Sequence, residues 1–182
     1  MGPAGPTFIP NTRRNPYHTT GESMDHKDLF VNFWEKEAPA TRQVIARIPE
    51  DSEYRPDPKS RTAREIAWLI VAEQMALVDG LERGAIEWTE LPAPSSMKEI
   101  IDSYDALHAN ASTRLRAMTP EQWEQPVPFM FGGAEAMRSP RHEMAWGFLL
   151  DMIHHRGQLS TYLRPMGAKV PQIYGPSADE PM

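Results

Sequence analysis

Apolar residues recur at three- and four-residue spacing along most of the chain, in segments separated by proline- and glycine-rich stretches. That spacing is what a helix with one buried face requires. The first segment runs from about residue 25 to 48, with Leu29, Phe33, Thr41, Val44, Ile45 and Ile48 on one face. Pro39 lies inside it and predicts a kink or a local break. The loop IPEDSEYRPDPKS follows, and Ser60 suits the N-cap of a second helix over about residues 61–81. Its stripe reads Ile66, Ile70, Glu73, Leu77 and Leu81. After WTELPAPSS, Ser95 or Ser96 caps a third helix that reaches about residue 118, with Tyr104, His108, Ala111 and Leu115 along its stripe.

TPEQW predicts one short helical turn, capped by Thr119 with Pro120 in the first helical position. PVPFMFGGAEAMR reads as a loop or a short extended piece. Ser139-Pro140 then opens a fourth long helix that ends near Met166, where Gly167 supplies a C-cap. Its stripe is Met144, Phe148, Asp151, His155, Leu159, Tyr162 and Met166. Four long helices, no convincing strand and connections long enough for a crossover predict an all-α protein, a four-helix bundle. Residues 1–24 read as an extended N-terminal arm of low intrinsic order, residues 25–182 as the bundle domain, and the tail KVPQIYGPSADEPM as non-helical.

A chain of 182 residues is one domain's worth and can bury one sizeable core. The net charge of −6, with no run of Lys and Arg, argues against a nucleic-acid partner. No cysteine is present, which excludes disulfides, thiolate metal sites and cysteine nucleophiles, and fits a reducing, cytoplasmic setting. No apolar run approaches the ~20 residues of a membrane span, and MGPAGPTFIPNTRRNPYHTTGES lacks the apolar stretch of a secretory signal. Trp68 and Trp146 read as packing residues, and the 11 methionines as core filler, a few able to line a pliable pocket. There is no phosphate-binding glycine loop and no serine nucleophile elbow.

Polar groups interrupt three of the stripes: Glu73 in the second helix, His108 in the third, Asp151 and His155 in the fourth. A buried, unpaired carboxylate costs several kcal/mol, so it normally finds a partner or a metal. Asp151 and His155 are one turn apart and can chelate one ion from one helix, and Glu73 meets them if the middles of the second and fourth helices face each other. Three protein ligands leave positions for water or substrate, as in catalytic rather than closed structural sites. The competing reading is a plain hydrogen-bonded Asp–His pair. His108 reads as a core or boundary histidine, and His154, ~100° around the helix from His155, as a flanking residue. Arg156 and Arg164 are either surface charges or groups that orient an anionic ligand.

HHRGQLSTYLRPMG followed by KVPQIYGPSADE, with YRPDPKSRTAREIAW before the second helix, resembles the DinB/YfiT-like superfamily from about residue 25 to the C-terminus. The resemblance implies a four-helix bundle, often a homodimer, holding a divalent ion (typically zinc or nickel) on three side chains. One ligand, usually histidine, comes from the second helix, and two come from the fourth at i and i+4. Carried onto this chain, His155 matches directly, and Asp151 takes the first fourth-helix position, where some relatives use a carboxylate. The second-helix histidine falls at about Leu69, so Glu73, one turn on, is the substitute. The mixed donor set shifts preference toward Mn²⁺ or Fe²⁺. Characterised relatives include thiol-dependent transferases and isomerases. The resemblance therefore implies a metal-dependent enzyme that presents a low-molecular-weight thiol to small electrophiles, with Arg156 or Arg164 receiving a carboxylate of that thiol. The alternative is a non-catalytic, stress-associated or dimerising bundle whose Glu73–Asp151–His155 cluster is a structural polar network.

Overall fold

The computed structural model describes residues 25–181, so the arm expected over residues 1–24 lies outside the described residues. Four long helices form a bundle: α1 (His26–Ile45), α2 (Ala63–Arg83), α3 (Met97–Ala117) and α5 (Arg141–Leu163), with a short α4 (Pro120–Glu124) before the last. Each of α1 and α2 packs on both α3 and α5, so α1 lies diagonal to α2 across the core. Sequence-local devices set the boundaries. Thr62, rather than Ser60, caps α2. Glu65 N–H donates to its hydroxyl at 3.2 Å, and the Glu65 carboxylate accepts from Thr62 N–H at 2.7 Å. Ser96 and Thr119 cap α3 and α4. α1 runs through Pro39 without a break.

The expectation of a purely all-α protein is corrected by a three-stranded mixed sheet. β1 (Ile86–Trp88) pairs parallel with β2 (Pro126–Phe131), which pairs antiparallel with β3 (Ala134–Pro140). The hairpin turns at Gly132-Gly133, whose φ values of 59° and 82° suit glycine and match the twist of paired strands. The sheet exists because its apolar side covers bundle: Ile86 and Val127 are fully buried. Gly80 permits the approach of β1 to α2, since a Cβ there would lie 2.5 Å from Ile86 Cα. β3 passes directly into α5, whose start has no side-chain cap.

The stripe expected on the first helix is also shifted. Leu29 and Phe33 are exposed, whereas Phe30, Val31 and Trp34 enter the core. Residues 167–181 are non-helical, as expected, and packed. Asp179 accepts from Val170 N–H at 2.9 Å and from Arg164 Nε at 3.1 Å. Among the described residues, no helix is long and apolar enough to cross a membrane.

Candidate metal centre

α2 and α5 pack along their middles, and that contact brings Glu73, Asp151 and His155 together. Glu73 Oε1 lies 3.4 Å from His155 Nε2, and Asp151 Oδ1 lies 3.6 Å from the same nitrogen. One donor atom from each residue lies within 4.8 Å of the other two. Both measured separations exceed the 2.7–3.2 Å of a good N–H···O bond. They match instead the spacing of about 3.4 Å between donors that share a tetrahedral ion at about 2.0–2.1 Å. Glu73 Oε2 is buried and has no hydrogen-bond partner among the described residues. An orphaned carboxylate oxygen beside an imidazole nitrogen is a donor set that fits a divalent cation. Two carboxylates and one imidazole make it a comparatively hard one.

The protonation chemistry points the same way. Burial, with a smaller contribution from the Asp151 charge, pushes the Glu73 carboxyl up to about 7 against the pull of His155. Glu73 in turn raises the His155 imidazole, in opposition to its burial. The cluster therefore holds protons tightly, chiefly because burial penalises the ionised Glu73 carboxylate, with the Asp151 charge as a smaller contribution. Gln158 Oε1 lies 3.1 Å from His155 Nδ1. A carbonyl oxygen only accepts, so Nδ1 carries a proton, and in the neutral imidazole the Nε2 lone pair faces the carboxylates.

A cavity of about 990 Å³ opens over the cluster. Its walls are largely apolar, with Trp88, Phe129 and Phe131 from the sheet and Phe148 and Leu150 from α5. Leu69 lines it one turn before Glu73, where the second-helix histidine was expected. His154 stands at its exposed margin. Asp151 corrects the helical stripe, because its side chain is 58% exposed at the rim rather than facing the core. The buried residues of α5 include Met144, Leu149, Met152, Leu159 and Leu163, and its buried charged residues are Arg141, at the first position of the helix, and Arg156, at mid-core.

The two arginines assigned to an anionic ligand do not line this cavity. Arg156 is buried on another side of α5, where its guanidinium donates to Glu37 at 2.7 Å. Arg164 pairs with Asp179. Arg61, which no sequence signal singled out, does line the cavity, and it pairs with Glu90 at 2.7 Å. His108 lies elsewhere, stacked between Trp34 and Tyr104 with centroid separations of 5.9 and 6.1 Å, and burial lowers its pKa. The aromatic residues of the sheet were missed with the sheet itself, although a Gly-Gly pair between apolar runs is a hairpin signal.

A model of the DinB family matches residues 22–182. The chain belongs to the DinB family. It is 26% identical over 162 residues to the uncharacterised protein YrdA of Bacillus subtilis, covering 87% of this chain and 92% of that protein. Among solved structures, it resembles a DinB-like protein from Bacillus cereus ATCC 10987 with a TM-score of 0.67 and 23% identity, covering 80% of this chain and 95% of that one. The DinB-like protein YjoA of Bacillus subtilis gives a TM-score of 0.63 at 18% identity, over 80% of this chain and 96% of the other. At these identities the likeness to both structures establishes the DinB fold. The chemistry rests on the residues of the cluster.

Proposed function

We propose that this DinB-family chain is a divalent-metal-dependent enzyme that uses a low-molecular-weight thiol as co-substrate against small electrophiles. The observation that carries the reading is the open cluster at the floor of the cavity. A buried carboxylate oxygen lacks a partner among the described residues, and the neighbouring imidazole turns Nε2 toward the carboxylates. Glu73, Asp151 and His155 would hold the ion, which when bound supplies Lewis acidity and stabilises a thiol in its deprotonated form. The chain has no cysteine, so the thiol comes from outside. The apolar walls hold the electrophile and exclude water from it. Exposed Asp151 offers a released proton a path to solvent. Arg61, on the cavity wall and paired with Glu90, would receive a carboxylate of either substrate. Against a closed structural network stand the separations of 3.4 and 3.6 Å, which leave His155 short of a good hydrogen bond to Glu73 and to Asp151.

The test is elemental analysis of untagged protein before and after reconstitution with Zn²⁺, Ni²⁺, Mn²⁺ and Fe²⁺. Thiol consumption against epoxides and aryl halides follows, with His155→Ala as control. Near-stoichiometric metal and a thiol consumption that His155→Ala abolishes are expected. No retained metal with any of the four ions overturns the metal requirement. Bound metal without transfer across several thiols overturns the reaction class.

A further inference from the structure

We propose that Gln158 is a positioning residue whose carboxamide decides whether Glu73, Asp151 and His155 form a metal site or a closed hydrogen-bonded pair. The inference rests on the metal reading above but makes a claim that can be tested in metal-free protein. Gln158 follows His155 by three residues and His154 by four, so on α5 it stands over both rings. Its Oε1 lies 3.1 Å from His155 Nδ1, and its Nε2 lies 2.9 Å from His154 Nε2. A carboxamide has one accepting end and one donating end, so its orientation assigns protons on both imidazoles at once.

In the orientation observed, His155 carries its proton on Nδ1 and turns the Nε2 lone pair toward Glu73 and Asp151. His154 Nε2 accepts from the amide, which places that ring's proton on Nδ1. If the carboxamide turned over, its NH₂ would face His155 Nδ1 and drive the proton to Nε2. The N–H would then point at Glu73 Oε1, where it would close a hydrogen bond and fill the place of a cation. Both arrangements use the same three cluster residues, and they differ by one amide rotation. His154 is coupled to the choice, because its Nε2 accepts from the amide in the first arrangement and would have to carry the proton and donate in the second. This gives the His-His-x-x-Gln order a physical content. The first histidine holds one end of the glutamine's carboxamide, and the other end orients the second histidine. Indirect partners of this kind set ligand orientation, and their loss typically lowers metal affinity about 10- to 100-fold.

The experiment compares wild type with Gln158→Leu, Gln158→Glu and His154→Ala by two readouts. One is the His155 tautomer in metal-free protein, from ¹⁵N–¹H long-range correlation spectra on the alkaline side of its titration. The other is Zn²⁺ affinity, by competition with a chromophoric chelator. Wild type is expected to show the Nδ1–H form. Gln158→Leu keeps the size of the side chain without the acceptor. It is expected to shift His155 toward Nε2–H and to weaken Zn²⁺ about 10- to 100-fold. Gln158→Glu retains an accepting oxygen and should stay close to wild type in both readouts, whereas His154→Ala should fall between wild type and Gln158→Leu. An Nε2–H form in wild type, or a Gln158→Leu variant unchanged in tautomer and affinity, overturns the proposal. A wild type that binds no Zn²⁺ but loses its tautomer preference in Gln158→Leu rejects the metal reading and leaves the positioning role standing.

Discussion

On one side of α5 Arg156 meets Glu37, on another His155 meets Glu73, and the first encounter is closed while the second is open. Arg156 Nη1 donates to Glu37 Oε2 at 2.7 Å and to Thr41 Oγ1 at 3.4 Å. The Tyr174 hydroxyl donates to the same Glu37 oxygen at 2.7 Å and accepts from Arg156 Nη2, and the guanidinium lies 5.0 Å from the Tyr174 ring centroid. That network ties the C-terminal tail to α1 and satisfies both charges. In the other cluster His155 Nε2 lies 3.4 Å from Glu73 and 3.6 Å from Asp151, Glu73 Oε2 has no partner among the described residues, and a cavity takes the place of a tail. Both clusters place a buried glutamate against a cationic or protonatable side chain of α5. Completeness of pairing, rather than residue type, separates a structural lock from a site built to receive something.

The largest expected effect breaks the lock. Arg156→Met leaves Glu37 buried without its counter-charge, and should cost about 3–5 kcal/mol in urea denaturation. The double variant Arg156→Met with Glu37→Leu should recover most of that loss, because no charge is then stranded. Glu73→Leu should behave in the opposite way. Metal-free stability should hold or rise, since an unsatisfied carboxyl is removed, while metal retention falls to background in elemental analysis. Should Glu73→Leu destabilise the metal-free protein as severely as Arg156→Met, the two clusters are alike and the non-catalytic polar network becomes the better account.

Which parts were legible in the sequence follows the same division. Helical periodicity located the four long helices, and the i, i+4 spacing of Asp151 and His155 brought those two side by side. Glu73 stood out because a carboxylate interrupted an otherwise apolar stripe. Periodicity could not tell Asp151 from Arg156 as the residue entering the core. Both lie near the boundary of the α5 stripe, and partners on other elements decide which one turns inward. Arg156 is drawn in by Glu37 of α1 and by Tyr174 of the tail, contacts 119 and 18 residues away in the chain. The sheet escaped for a different reason. β1 is three residues long and carries no strand signal by itself, its pairing with β2 joins segments some forty residues apart, and the local sign was the Gly-Gly turn after β2. With the sheet went the aromatic wall of the cavity.

Proton linkage offers a test of intermediate size. The Glu73 carboxyl titrates at about 7 in the folded protein against an ordinary 4.5, so the folded state binds its proton more tightly than the unfolded chain does. Stability from this group is greatest below pH 4.5 and falls as pH rises from there to about 7. The raised His155 acts in the same direction: its contribution is complete below its ordinary value of 6.5 and is lost as pH rises through its higher folded value. Metal-free wild type should therefore lose about 2–3 kcal/mol relative to Glu73→Gln across this window, measured as paired urea midpoints at several pH values. Zn²⁺ affinity should rise over the same window, because the ion displaces those protons. A stability difference that does not vary with pH would mean that Glu73 is ionised without penalty, and would remove the electrostatic reason for a cation.

The smallest expected effect asks whether the two clusters are independent. Tyr174→Phe deletes the hydroxyl that bridges Arg156 and Glu37 but leaves their direct bond of 2.7 Å in place. The cost should be about 1 kcal/mol, the worth of an ordinary hydrogen bond in a partly exposed setting. Zn²⁺ affinity should not change, and the variant should add to Glu73→Leu within about 0.5 kcal/mol, as separate sites do. Adjacent positions on α5 make this additivity a demanding test, since His155 and Arg156 share one peptide bond. A change in metal affinity on Tyr174→Phe would show that the tail's latch is transmitted through α5 to the imidazole. The closed cluster would then be part of the site, holding the turn of helix that carries His155 in register with Glu73.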